Sequence, residues 1–207
     1  LSTTLSHDLR QADKFVYNDL METLNNRPSL LSARERILQT AHTLFYRDGI
    51  RATGINRVID ESGVTKVTFY RHFPSKNDLI LEFLAHRHQR WMAWFKDALQ
   101  RHGGNPQALV LTLAEWFDDA GFRGCSFINS VGELGDELPQ VKDIARCHKE
   151  EMTDAIAMLW PVDAHARGIA QALALAVDGA IVHAQFDENS QNALDAFARI
   201  VRSLCGE

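Results

Sequence analysis

The chain has 207 residues, 45% hydrophobic and 24% charged, with a formal net charge of −5, values ordinary for a globular protein of one large or two small domains. No uninterrupted apolar run reaches the roughly 18 residues of a membrane span, the opening LSTTLSHDLRQADK lacks the basic-then-apolar order of a signal peptide, and three cysteines are too sparse for a disulfide framework. The net charge hides an asymmetry: residues 32–102 carry 12 Lys/Arg against 7 Asp/Glu, and residues 103–207 carry 7 against 16, so one part is suited to a polyanion and the rest is not.

Along the chain the pattern is helix after helix, with Pro28, Pro74, Pro106, Pro139 and Pro161 as punctuation between periodic segments. The opening Leu1 leaves room for a missing native start. Residues 8–25 are expected to form a helix with Leu9, Phe15, Val16, Leu20 and Leu24 on one side, ended by NNRPS; residues 1–31 read as an N-terminal extension. Ser32 followed by Glu35 is a capping box. Behind it Ile37, Leu38, Ala41, Leu44 and Phe45 make one apolar face, stopped by Asp48-Gly49. A short helix follows over 55–62 with Ile55, Val58 and Ile59 inward. Gly63 terminates it, and a third helix spans 65–73. Two short helices joined by a tight Gly-containing turn make a helix-turn-helix.

In the third helix Phe69 and Phe73 are four apart and share a face that can pin it to the first two. Thr65, Lys66, Val67, Thr68 and Tyr70 are the expected base-side contacts with double-stranded DNA, because the leading end of a recognition helix enters the major groove. Tyr70 and Arg71 look outward, and Tyr70 and His72 can donate to phosphate. Ser75 caps the next helix, and Lys76 in its first turn is disfavoured by the helix dipole, which points to an external phosphate there. Thr53, His72 and Lys76 are the expected phosphate contacts.

At these residues the chain resembles the TetR family of transcriptional regulators. The stretch Thr53–Asn56, Gly63-Val64-Thr65 and Phe69-Tyr70-Arg71-His72-Phe73-Pro74-Ser75-Lys76 is similar to that family's three-helix DNA-binding domain, recognition helix and following Ser-Lys pair over about residues 32–80. Val67 departs from it, since members often carry Gly or Pro there. GCSFINSVGELGDELP (124–139) and LALAVDGAIVHAQ (173–185) resemble segments of one group of members. The resemblance implies an all-α chain: extension 1–31, helix-turn-helix domain 32–78, and ligand-binding and dimerisation domain 79–207. It also implies a homodimer on a palindromic operator, a small-molecule inducer and repression as the commoner mode.

Residues 75–101 read as one long helix of about 40 Å, placed to carry motion from the acidic part to the basic part. Further helices are expected over 105–121, with Asn105 capping, and over 139–160. Residues 164–185 are apolar nearly all round, and the last helix repeats Ala193, Phe197, Ile200, Val201 and Leu204. Two copies pairing these last two helices would form a four-helix interface, with Leu175, Val182, Phe197, Val201 and Leu204 as its expected contacts. Candidate liners of a ligand pocket are Trp91, Trp94, Phe95, Trp116, Phe117, Phe127, Asn129, Glu133, His148, Met152 and His183, apolar walls with a few polar groups.

His86 and His88 are two apart, and Cys147 and His148 are adjacent, so neither pair shares a helical face as a metal site would need; no metal or cofactor is expected. No nucleophile–base motif or phosphate-binding Gly loop is present, so the chain does not read as an enzyme. A second reading is a thiol-gated regulator using Cys125 or Cys147, since Arg123, Arg146 and Lys149 lie near them in sequence and reactive thiols need nearby cations. A third is a helical protein that processes a small molecule and keeps a vestigial DNA-binding domain.

Overall fold

Ser32 starts the first described helix as its spacing to Glu35 predicts. Its hydroxyl accepts from the Glu35 N–H at 3.3 Å, and the Glu35 carboxylate accepts from the Ser32 N–H at 2.7 Å. Helix α1, Ala33–Asp48, buries the expected stripe of Ile37, Leu38, Ala41, Leu44 and Phe45, with His42 and Tyr46 beside it. The computed structural model describes residues 31–160 and 166–205. The helix expected over residues 8–25 lies outside the described residues.

Helix α2, Ile55–Ser62, ends at Gly63, whose φ of 63° is left-handed and costs a glycine nothing. That turn aims α3, Lys66–His72, whose N-cap Thr65 accepts from the Thr68 N–H. Phe69 and Phe73 are 0% and 2% exposed, so the four-residue spacing does pin α3 through its aromatic face. Both α2 and α3 pack on α1 and on each other.

Ser75 opens α4, Lys76–Arg101, accepting from the Asp78 N–H at 3.1 Å. Helix α5 spans Ala108–Phe117, shorter than expected. The Asn105 carboxamide accepts from the Gln107 N–H inside the preceding turn, so it orders that turn and does not cap the helix. The rest are α6, Ser126–Leu134; α7, Gln140–Ala157; α8, Ala166–Phe186; and α9, Gln191–Cys205. Among the described residues there is no strand, and the chain is all-α.

The chain packs as two units. The first holds residues 31–88 and 126–142, and the second holds 89–125 with the described part of 143–205. Residues 126–142 therefore pack with the N-terminal helices, whereas the sequence reading grouped everything beyond residue 79. In the second unit α8 packs on α9, and α9 on α5. Helix α8 is long and apolar enough by composition to cross a membrane; the run count missed this because Arg167, Gln171 and Asp178 interrupt it. Its Ala170, Leu173, Val177 and Ile181 are buried.

Replacing Ser32 by Ala removes one half of the capping box and is expected to lower stability by about 1 kcal/mol. A urea titration followed by circular dichroism checks this as a lower midpoint at unchanged slope.

Candidate nucleic-acid interface

The outward face of α3 is the part of the first unit with the most unspent chemistry. Thr65, Lys66, Val67, Tyr70 and Arg71 are exposed, Val67 by 71%. Thr68 and His72 are half-buried, and the Thr65 and Thr68 hydroxyls bond to each other at 2.9 Å. A valine side chain left that bare beside two threonine hydroxyls and a lysine offers methyl contacts and donors together, as a base edge in the major groove requires.

Charge is distributed to the same end. Arg34 pairs with Glu82 at 2.8 Å, Arg57 with Asp48 and Glu61 at 2.8 Å each, and Arg51 with Glu137 at 2.6 Å. The side chains of Lys66 and Arg71 have no ion-pair partner among the described residues. Much of the basic excess read from the sequence is thus neutralised within the unit, and α3 keeps its two cations for an outside anion.

Two expected phosphate contacts are turned inward. Thr53 is 0% exposed, and its hydroxyl donates to the Gly49 carbonyl at 2.8 Å. Lys76 is half-buried; its ammonium donates to the Ile50 carbonyl at 2.6 Å and lies 6.0 Å from the centre of the Phe45 ring. Burial pulls its pKa below the ordinary lysine value, and the charge of Glu133 opposes that pull. Both side chains therefore act as struts on the turn after α1, because a carbonyl was within their reach. The sequence shows only that they stand near a helix end.

Glu133, read from sequence as a pocket liner, completes the same turn. Its carboxylate accepts from the Ile50 N–H at 3.2 Å and the Arg51 N–H at 2.7 Å. Arg51 returns a bond to the Glu133 carbonyl at 2.7 Å and pairs with Glu137. Helix α6 is fastened in this way to the α1–α2 turn, which the spacing of residues 82 positions apart gave no means of foreseeing.

The expected ligand residues divide between the units. Phe127 and Asn129 belong to the first, Phe127 buried and Asn129 half-buried. Trp91, Phe95, Trp116, Phe117, His148 and Met152 belong to the second and are all buried. There Trp91 stacks on Phe95 at 4.6 Å and meets Trp116 at 5.5 Å and His148 at 4.9 Å. Trp94 is half-buried and donates to Glu115 at 3.3 Å. The indole N–H groups of Trp91 and Trp116 and the hydroxyl of Thr112 are buried without a hydrogen-bond partner. Thr112 and Trp116 are four apart and share a face of α5. Each such buried, unsatisfied group costs about 1–3 kcal/mol.

His183 does not join this cluster. It lines a groove of about 390 Å³ between α8 and α9, with Ala176, Gly179, Ala180, Ala193, Ala196, Phe197 and Ile200. Of the expected dimer contacts, Leu175, Val182 and Leu204 are exposed by 76%, 39% and 36%. Phe197 and Val201 are 1% and 0% exposed: the α8–α9 packing within one chain already covers them, which corrects their place in the expected interface. Phe186 and Ile200, not among the expected contacts, are exposed by 65% and 42%.

The family profile described as "Bacterial regulatory proteins, tetR family" matches residues 37–83. The HTH-type transcriptional activator FasR of Mycolicibacterium smegmatis is 32% identical over 166 residues, 75% of this chain and 75% of FasR. An uncharacterized HTH-type transcriptional regulator from the lacX 3′ region of Lactococcus lactis is 28% identical over 111 residues, 51% of this chain. The match spans only 57% of that relative's own length. Among solved structures, SCO4454, a TetR-family transcriptional regulator from Streptomyces coelicolor, is 29% identical with a TM-score of 0.74, covering 83% of this chain and 93% of that one.

Glu133→Ala leaves two backbone N–H groups of the α1–α2 turn without their acceptor and is expected to destabilise the chain by about 1–3 kcal/mol. Amide hydrogen exchange localises the effect: Ile50 and Arg51 should lose protection, while α8 and α9 keep theirs.

Proposed function

This chain belongs to the TetR family of bacterial transcriptional regulators, and from that premise we propose that it is a homodimeric repressor released from a palindromic operator by a small-molecule inducer. Its setting is the cytoplasm, where the DNA is. The observation that carries the DNA-reading half is the exposed face of α3, with Lys66 and Arg71 unpaired around Val67 and Tyr70. Two copies of α3 enter successive major grooves about 34–36 Å apart. Thr65, Lys66, Val67, Thr68 and Tyr70 face the bases. His72, Arg71 and the first turn of α4 face the phosphates.

Support for the dimer comes from the outer face of α8 and α9. It carries Leu175, Val182, Phe186, Ile200 and Leu204 exposed beside a groove floored by Ala and Gly. Large side chains around small ones are the relief into which a second copy of the same helix pair fits.

The inducer site is placed at the Trp91–Trp116–His148 cluster of the second unit. Two indole N–H groups and one hydroxyl lacking acceptors, set among stacked rings, suit a flat apolar compound that carries hydrogen-bond acceptors. Binding there biases α4, which belongs to both units, toward the state that does not fit the operator, with a coupling of about 1–3 kcal/mol. FasR is named an activator, so the sign of control is to be read from a reporter carrying the selected operator.

Selection from a pool of random duplexes at moderate salt is expected to enrich a two-fold symmetric sequence. A pool without enrichment and with only salt-sensitive binding overturns the proposal. On the selected duplex, Lys66→Ala should lower affinity and reduce the salt slope by about one charge. Lys76→Ala, removing an internal strut, should leave that slope unchanged. Leu175→Glu puts a charge on the proposed dimer face; light scattering should report a shift to monomer with helical content intact, and operator binding should fall with it.

A further inference from the structure

The outward face of α3 is chemically one-sided. Residues 65–73 read TKVTFYRHF and hold no Asp, Glu, Asn or Gln. Adenine is read by a carboxamide and cytosine by a carboxylate, because each presents an amino group that needs an acceptor. The two threonine hydroxyls that could stand in are engaged with each other. Thr65 Oγ1 accepts from the Thr68 N–H at 3.2 Å, and the two hydroxyl oxygens share a hydrogen bond of 2.9 Å. Whichever of them donates, one hydroxyl hydrogen is left over for an outside acceptor. Lys66 adds an ammonium with no ion-pair partner among the described residues, a group that donates and never accepts. Between them stands Val67, 71% exposed. A lone exposed valine is ordinary on a protein surface. This one stands in the first turn of α3, between a lysine and a threonine. Its β-branch holds χ1 in one rotamer about 90% of the time in a helix, so its methyls are offered at little cost in ordering.

We infer that Val67 reads the C5-methyl group of a pyrimidine, and that Lys66 takes the acceptor edge of a guanine in a neighbouring base pair. The inference rests on the DNA-reading function proposed above and names the base chemistry that function selects. Thymine carries the C5-methyl, and so does 5-methylcytosine. Across the major groove a T·A pair presents methyl, acceptor, donor, acceptor. A 5-methylcytosine·G pair presents methyl, donor, acceptor, acceptor. The two pairs agree at both outer places and differ only between them. A valine side chain has no polar atom with which to sense the middle of the edge, so it treats the two pairs alike. Unmethylated cytosine lacks the group that Val67 touches. Guanine N7 and O6 both accept, which suits the Lys66 ammonium. An operator with cytosine at the Val67 position is therefore bound well only after methylation at C5, and base methylation becomes a second input to the site that the inducer controls.

The test changes single atoms of the DNA. On the selected duplex each thymine is replaced in turn, in both half-sites, by deoxyuridine, which removes the methyl and keeps every hydrogen-bonding group. One thymine per half-site is expected to matter. Its replacement should weaken wild-type binding by about fourfold in one half-site and about fifteenfold in both, the transfer worth of one methyl compounded. A 5-methylcytosine·G pair at that place should restore affinity to within about twofold, and a plain C·G pair should not. Val67→Ala, with circular dichroism unchanged, should bind the thymine and uracil duplexes within about twofold of each other. At the neighbouring guanine, 7-deazaguanine lacks N7; it should cost the wild type at least about fivefold and cost Lys66→Ala nothing.

Four results overturn the inference and leave the DNA-binding function standing: no uracil penalty at any thymine, a uracil penalty that persists in Val67→Ala, 5-methylcytosine bound no better than cytosine, or a 7-deazaguanine penalty shared by Lys66→Ala. A chain that enriches no duplex overturns that function and the methyl reading with it.

Discussion

The α1–α2 turn has to bend sharply enough to set α2 and α3 against α1, and a sharp turn leaves backbone groups that no helix can satisfy. Side chains from elsewhere satisfy them. Glu133 accepts from Ile50 and Arg51, Lys76 donates to Ile50, and Thr53 donates to Gly49. Four backbone groups of one short turn are thereby served by α6, by the first turn of α4 and by the turn's own Thr53. The direction in which α3 presents Lys66 and Val67 depends on that turn. The cost of removing any one acceptor exceeds the cost of an ordinary surface change, because the partner left behind is a backbone group.

The same principle separates residues that hold the interface from residues that meet the ligand. A side chain with a satisfied internal partner is committed, and one that is exposed and unpaired is available. Within the first unit Arg34, Arg51, Arg57, Thr53 and Lys76 are committed. The exposed Lys66 and Arg71 are available. The second unit follows the pattern with apolar groups. Phe197 and Val201 are spent on the chain's own core, while Leu175 and Phe186 stand in solvent beside a groove of small residues. Its aromatic cluster buries two indole N–H groups that find no partner, and Lys149 on α7 is committed to Asp178 on α8.

What the amino-acid order determined by itself was local. The Ser32–Glu35 box, the left-handed Gly63, the Ser75 cap and the Phe69–Phe73 pair all act over three or four residues. At that range geometry follows from the backbone period alone, so the first three helices, their limits to within a residue and the outward face of α3 were legible. A proline or glycine punctuates wherever it stands, and a capping hydroxyl finds its N–H without help from the rest of the fold. Only the tertiary structure decided what lay opposite each face. Lys76 has a long stem that reaches a carbonyl 26 positions away, and Glu133 captures a turn more than 80 positions away. Lys149 finds its carboxylate on another helix, at Asp178, 29 positions away. Helical spacing fixes which side a residue is on, but the partner on that side comes from segments whose distance along the chain carries no information about their distance in space.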